Sequence, residues 1–516
     1  MSTVKRPIAI MCREPSNIKE QRVRTSLAIV ALLIVFTSPI VTVAQQRSSQ
    51  AIATTPQLEP SPCVVKVPKD ERIDCFTLVV PENRDHPRSA TVHLPLMIFR
   101  SRSTTPQADP IIFTAGGPGS SSLGGFASGK SIKLLDWRDF IVFEQRGTRY
   151  AQPALLCPEV DEEHQRAYLQ GYAAKEAELQ ELEAAKGCHD RLVSKGVDLS
   201  AYNTREIAAD LVDLRKALKL SSWNLYGLSY STWVMMDVMR TDPVAVRSVL
   251  LESVEPPDVP YDEMGNANLE RALNAVFDAC AVDFECERAY PNLRANSEKL
   301  LNALYRYPIS IQIKTKDGIV HSRPFDGRSA VETIYSALND ISQIPQIPRV
   351  IFQAAHGDFT ALSAMAQDDL SPDDLSWGMR YSVWCADGMP LADRAIVDFQ
   401  TQVAFPQFGG LDSAAFNLGI CNVWNVPASS CSEWHPLLSD IPTLIFAGEF
   451  DPNTPPAWGR RALRTLKNGY LYEFAGYSHT PSQSACARQM TVDFFNDPSK
   501  APDTRCFAQM KEKSFK

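Results

Sequence analysis

The chain has 516 residues, 44% hydrophobic and 22% charged, ordinary values for a globular protein with length enough for two or more domains. Its formal net charge of −8, with no basic block outside the extreme N-terminus, gives no support for nucleic-acid binding. No His/Cys cluster has zinc-ligand spacing, so neither a metal nor another cofactor is expected.

Lys19, Arg22 and Arg24 precede an apolar run over residues 27–36, and Thr42-Val43-Ala44 offers small residues before Gln45. A charged segment, an apolar segment and a small-x-small site make a secretory signal over residues 1–44, which predicts a secreted, periplasmic or cell-envelope protein. The apolar run is short for a membrane span. No stable membrane association is expected unless the signal stays uncut, and the long leader leaves Met11 as an alternative start. Residues 45–60 are polar and Pro-containing and predict a flexible lead-in. Of 12 cysteines, Cys12 falls in the leader, so an odd number remains. The close pairs Cys63/Cys75, Cys157/Cys188, Cys280/Cys286, Cys385/Cys421 and Cys486/Cys506 are candidate bridges that leave Cys431 over, although sequence alone does not fix connectivity.

Residues 61–257 are expected to form the N-terminal part of a core. Residues 76–80 and 92–99 read as strands opening a sheet with an antiparallel edge. Residues 110–114 are a compact apolar strand leading into Ala115-Gly116-Gly117-Pro118-Gly119-Ser120. A Gly-rich loop after an early strand can bring backbone N–H groups to a developing oxyanion. Pro118 has no N–H, so Gly117 is the favoured donor. A nucleotide P-loop would continue with Gly-Lys-Ser/Thr, which is absent here. Residues 139–143 are another strand. Residues 159–194, rich in Glu, Ala, Lys and Gln, predict helix with a solvated charged face, and residues 204–219 predict an amphipathic helix.

Trp223-Asn224-Leu225-Tyr226 then runs into Gly227-Leu228-Ser229-Tyr230-Ser231 and a helical stretch. Strand, sharp turn with Ser at its apex, helix: this is a nucleophile elbow, with Ser229 as nucleophile and the Tyr230 N–H as second oxyanion donor. Residues 246–251 form the next strand. Residues 258–436 carry mainly helical spacing, as in Leu269-Leu273-Val276-Phe277, and predict a cap over Ser229. Residues 437–516 return to the core. A buried-strand pattern at 442–448 ends in Glu449-Phe450-Asp451, and another at 470–474 ends near His479. The order Ser229, Asp451, His479 is that of an α/β-hydrolase triad, with His479 as base and Asp451 holding its tautomer. Glu449 is the alternative acid. The fold class is therefore α/β, a mostly parallel sheet with a large helical cap insertion.

Ala-Gly-Gly-Pro-Gly-Ser, Phe143-Glu144-Gln145-Arg146-Gly147-Thr148, Gly-Leu-Ser-Tyr-Ser, and the C-terminal Gly-Glu-Phe-Asp-Pro-Asn-Thr-Pro and Gly-Tyr-Ser-His together resemble the prolyl aminopeptidase and secreted tripeptidyl aminopeptidase family over residues 60 to 510. Ala115, Glu144 and Ser231 stand where that family often has His, Asp and Gly. The resemblance implies a serine exopeptidase acting on peptides with a free N-terminus. A carboxylesterase or lipase on the same fold is the alternative. An aminopeptidase needs carboxylates to pair with the substrate ammonium, and the candidates are Glu252, Glu255, Asp387 and Glu433. Trp384, Trp424 and Trp434 are candidate pocket walls, with core packing the commoner role.

Overall fold

The computed structural model describes residues 56–86, 88–126, 133–315, 317–367, 375–403, 417–510 and 515, with side chains at all of these but 401, 402, 431 and 509. The secretory signal, most of the lead-in and Cys12 lie outside the described residues, as does the Cys431 side chain. The strands are β1 (Gln57–Pro60), β2 (Ile73–Pro81), β3 (Thr91–Phe99), β4 (Ile111–Thr114), β5 (Phe140–Phe143), β6 (Trp223–Leu228), β7 (Val246–Glu252), β8 (Ile309–Lys314), β9 (Val320–Phe325), β10 (Thr443–Gly448) and β11 (Gly469–Phe474). Nine of them form one sheet in the order β1-β2-β3-β5-β4-β6-β7-β10-β11. The β1–β2, β2–β3 and β3–β5 pairs are antiparallel, and every later pair is parallel. Strands β4, β5 and β10 are buried at every residue, as expected where helices cover both faces of a parallel sheet. This is the predicted α/β-hydrolase sheet with its antiparallel edge. The expected lead-in ends earlier than residue 60, because residues 57–60 pair with Phe76–Val79 and so satisfy the outer edge of β2.

Two parts of the chain depart from expectation. The insertion contains the hairpin β8–β9 beside its helices. Ile309, Ile311 and Ile313 alternate with polar residues, a period of 2 that the helical reading of the insertion passed over. The second departure concerns the helices Pro158–Gln170 and Ala174–Ser194, which were expected to be a solvated extension of the core. They join the cap instead. Tyr168 and Leu169 pack against the apolar cluster of the insertion. Trp377 Nε1 donates to Asp161 at 2.9 Å, Tyr381 to Glu181 at 3.1 Å, and Asn417 Nδ2 to Glu181 at 3.1 Å. The cap is thus built from two separate stretches of chain.

All five candidate cysteine pairs are bridged, with Cα–Cα distances of 5.2 to 5.4 Å. Among the described residues no helix is long and apolar enough to cross a membrane.

The Glu144-Gln145-Arg146 motif is structural. Glu144 is fully buried and accepts from the Ser121 and Thr148 hydroxyls and the Leu123 and Tyr150 N–H groups, at 2.9 to 3.3 Å. Gln145 Nε2 donates to the Ala115 carbonyl at 2.8 Å, which braces the Gly-rich loop. Arg146, also fully buried, makes two 2.7 Å bonds to Asp210, which Arg84 shares at 2.8 Å. Removing one partner from a buried charge network leaves the others uncompensated. Arg146→Ala should therefore lower stability by about 3–5 kcal/mol in urea unfolding, and a loss below about 1 kcal/mol would show that the network does not anchor this edge.

Candidate active site

Ser229 follows β6 with φ 58° and ψ −131°, a backbone region non-glycine residues rarely occupy. It begins the helix Tyr230–Thr241. Its own N–H donates to the Glu252 carbonyl at 2.9 Å, and its carbonyl accepts from the Thr232 hydroxyl at 2.6 Å. Ser231 does more than fit where the family often has Gly. Its Oγ accepts from the Leu228 N–H at 2.7 Å and donates to the Thr114 carbonyl at 2.8 Å, tying the turn to β4.

Gly116 lies directly against the turn. A Cβ there would sit 2.7 Å from the Ser229 Cβ and 3.2 Å from the Tyr230 nitrogen, so only glycine lets the loop approach this closely. Gly117 comes next, and neither its N–H nor that of Tyr230 is spent on a partner among the described residues. Both are thus available as donors, and the first turn of a helix carries partial positive charge.

Asp451 and His479 follow β10 and β11. Asp451 is fully buried, and its Oδ2 accepts from His479 Nδ1 at 2.9 Å and from the Thr454 hydroxyl at 2.7 Å. Its Oδ1 accepts from the Asn453 and Thr454 N–H groups at 2.8 and 3.0 Å. Burial alone would raise this carboxyl, but the His479 charge and these hydrogen bonds hold it below the usual range. Burial likewise opposes the charged form of His479, yet Asp451, then Glu252 and Glu255, leave its pKa raised. A short chain of contacts sets the His479 loop against the elbow. Ser229 donates to the Glu252 carbonyl, the neighbouring Ser253 hydroxyl donates to the His479 carbonyl at 2.7 Å, and Glu252 Oε1 accepts from the Ser482 N–H at 2.7 Å. Glu449 takes no part: its carboxylate accepts from the Gly476 N–H at 2.8 Å. Ser253 and Thr454 carry no sequence signature and were missed.

The four amine-binding candidates separate. Glu252 is occupied by Ser482 and by the Tyr226 hydroxyl at 2.5 Å. Asp387 is occupied by the Thr204 N–H and hydroxyl, at 2.7 and 2.6 Å, and by Ser429. Glu433 feels Asp387 and Asp237 rather than His479, and burial followed by those two charges pushes it up to about 7. Glu255 differs from all three. It is buried, its carboxylate has no hydrogen-bond partner among the described residues, and its neighbouring charges are Arg380, Asp262 and His479. Burial is the main cause that pushes it up to about 7; Asp262 adds to the rise, while Arg380 and His479 oppose it.

A cavity of about 970 Å³ opens between the two parts of the cap, lined by Tyr261, Tyr335, Trp377, Arg380 and Trp384 among others. Residues 229, 451 and 479 do not line it. Two wall residues set it beside the catalytic rim: Arg380 donates to the Gly117 carbonyl at 2.8 Å, and the Tyr335 hydroxyl donates to Asn453 Oδ1 at 2.5 Å. Of the three candidate tryptophans, Trp384 is a wall residue, with Nε1 on Asp262 at 3.1 Å. Trp424 is core, bonded to the Ser382 hydroxyl at 2.8 Å, and Trp434 is buried.

A nucleophile elbow on an inner strand of this sheet, with a bonded Asp–His pair two and three strands over, defines a serine hydrolase of the α/β-hydrolase class. Residues 408–506 match the family model described as TAP-like protein, in line with the resemblance read from the motifs. The serine protease Hip1 of Mycobacterium tuberculosis, like that of Mycobacterium bovis, is 26% identical over 483 residues, covering 88% of this chain and 91% of that protein. Among solved structures, the proline iminopeptidase of Mycobacterium smegmatis aligns at 14% identity and a TM-score of 0.39, covering 82% of this chain and 98% of its own. A thermophilic esterase from Thermogutta terrifontis aligns at 16% and 0.37, covering 82% and 99%.

The raised His479 has a direct consequence. Its imidazole should titrate above the ordinary histidine value, so the neutral form becomes the majority only on the alkaline side of that value. Asp451→Asn removes the main group opposing burial and should shift the titration to lower pH, read from the His479 ring protons by NMR. An unmoved midpoint would refute the coupling.

Proposed function

We propose that the chain is an exported serine exopeptidase that removes a residue or short peptide from the N-terminus of peptides through a Ser229 acyl-enzyme. The observation that carries the specificity is Glu255, a buried carboxylate without a hydrogen-bond partner among the described residues and under the influence of the His479 and Arg380 charges. Similarity over most of the chain to a serine protease supports peptide as the substrate. The five disulfides support an oxidising compartment outside the cytosol.

In this reading His479 Nε2 takes the Ser229 proton as Oγ attacks the scissile carbonyl. Asp451 keeps the Nδ1 proton in place and stabilises the imidazolium. The Gly117 and Tyr230 N–H groups receive the oxyanion. Collapse of the tetrahedral intermediate passes the His479 proton to the leaving amine, and water then releases the acyl group by the same steps. Glu255 pairs with the substrate ammonium. A bound ammonium favours the charged carboxylate, so binding would draw Glu255 down from about 7.

Ser229→Ala should abolish fluorophosphonate labelling and peptide hydrolysis with the fold retained. Glu255→Gln should cost about 10- to 100-fold in kcat/KM on a free-amine peptide chromogenic amide, the worth of a charge-assisted bond, while leaving a short acyl ester little changed. Equal losses on both substrates, or no effect of N-acetylating the peptide, would remove the exopeptidase assignment. Turnover of the ester alone would leave an esterase. Asp451→Asn should lower kcat by about four orders of magnitude, whereas Glu449→Gln should retain activity; the reverse result would transfer the acid role to Glu449.

A further inference from the structure

The Gly-rich loop is held from two sides. The core braces its beginning, through Gln145 on the Ala115 carbonyl and the Ser122 hydroxyl under the Ala115 N–H at 2.9 Å. Its middle is held by the cap. The Ser376 N–H donates to the Gly119 carbonyl at 2.9 Å, and Ser120 and Leu375 form an isolated antiparallel bridge. A Cβ on Gly119 would stand 2.9 Å from the Ser376 carbonyl oxygen, so the two backbones meet with no room for a side chain between them.

Arg380 adds the contact nearest the chemistry. Its Nη1 donates to the Gly117 carbonyl at 2.8 Å, the one donor to that oxygen among the described residues. The guanidinium carbon lies 5.1 Å from the ring centre of Trp384 and 5.9 Å from that of Trp377. Trp384 is itself fixed by its bonds to the buried Asp262. The planar fork is therefore held near two indole rings and aimed at a single carbonyl, a task for which the flexible point charge of lysine is poorly suited.

We propose that Arg380, carried by the cap, is a positioning residue of the hydrolytic site: it anchors the Gly117 carbonyl and so, through the Gly117 Cα, restrains the preceding peptide plane whose N–H receives the oxyanion, making the loop competent only while the cap is docked. The physical reason lies in Gly117 itself. With φ at +114° and no side chain, it has wide freedom to turn its flanking peptide planes. An anchored carbonyl removes much of that freedom, and oxyanion stabilisation depends on donors already aligned before reaction. The proposal rests on the Ser229 chemistry above and is independent of the preference for peptides.

The test compares the wild type with Arg380→Lys and Arg380→Ala in the full chain. It uses a short acyl ester, a free-amine peptide amide and the second-order rate of labelling by a small fluorophosphonate. In Arg380→Ala, kcat should fall about 10- to 100-fold on both substrates, less than or near the 10²-fold or more for deleting an oxyanion donor outright. Labelling should slow in parallel, KM should stay within about 3-fold, and methylguanidine should restore part of kcat. Arg380→Lys, the milder change should the alanine variant not fold, should remain below wild type in kcat and in labelling at an unchanged melting temperature. A rise in KM alone, or an undiminished labelling rate in the folded lysine variant, would overturn the proposal. Wild-type protein that is never labelled would overturn the serine chemistry and this assignment with it. Labelling with ester turnover but no peptide turnover would remove only the exopeptidase reading, and the ester kinetics of the variants would then decide on Arg380.

Discussion

The site depends on a backbone held where a serine seldom goes. The conformation of Ser229 costs about 1–3 kcal/mol, and it persists because its neighbours over-determine it. Glu252 accepts its N–H, Thr232 bonds its carbonyl, and Ser231 clamps Leu228 to Thr114. Each of these contacts presumes a particular strand register, with Thr114 opposite Gly227 and Leu228 opposite Glu252. A slip of one residue would reverse the faces of β6 and remove every restraint at once. The sheet therefore does more than carry the proposed nucleophile. Its register sustains the strain that keeps the hydroxyl at the rim.

The charges around that rim share a single imidazole. Asp451 bonds it, while Glu252 and Glu255 act on it through the low-dielectric interior. All three favour the imidazolium, the state formed when a serine proton is taken. The same stabilisation reduces the neutral base available beforehand, so the arrangement favours the transition state while narrowing the working pH range on its acid side. The Arg380 charge opposes the rise of Glu255.

Much of this was legible in the sequence because it is local. The runs that became β4, β5, β6 and β10 are short, apolar and bounded by turn residues. Ser229, Asp451 and His479 each stand just beyond such a run, and the cysteine partners lie near each other in the chain. What stayed hidden is set by distance in sequence. Nothing in residues 158–194 announces that Asp161 and Glu181 receive donors from residues beyond 376, so their charge resembled an ordinary solvated face. The hairpin β8–β9 was lost because a brief period of 2 sat within a long helical pattern. The choice among Glu252, Glu255, Asp387 and Glu433 turns on which carboxylate lacks hydrogen-bond partners and also feels the His479 charge, properties that exist only after folding.

The two-part cap follows from where the chain leaves the sheet. One part emerges beyond β5 and the other beyond β7, both at the carboxyl ends of parallel strands, the edge at which α/β sheets place their sites. Having converged there, the insertion touches both halves of the machinery. Arg271 donates to the carbonyls of Glu449 and Asp451 at 2.8 and 2.6 Å, and Asn268 donates to the Asn453 carbonyl at 3.3 Å. Residues 375–380 meanwhile close on the Gly-rich loop. A cap bonded to the Asp451 loop and to the Gly-rich loop together restrains the placement of both rather than merely covering them. Any displacement large enough to open the cavity must strain one of these seams, so access to the site and alignment within it are governed by the same few hydrogen bonds.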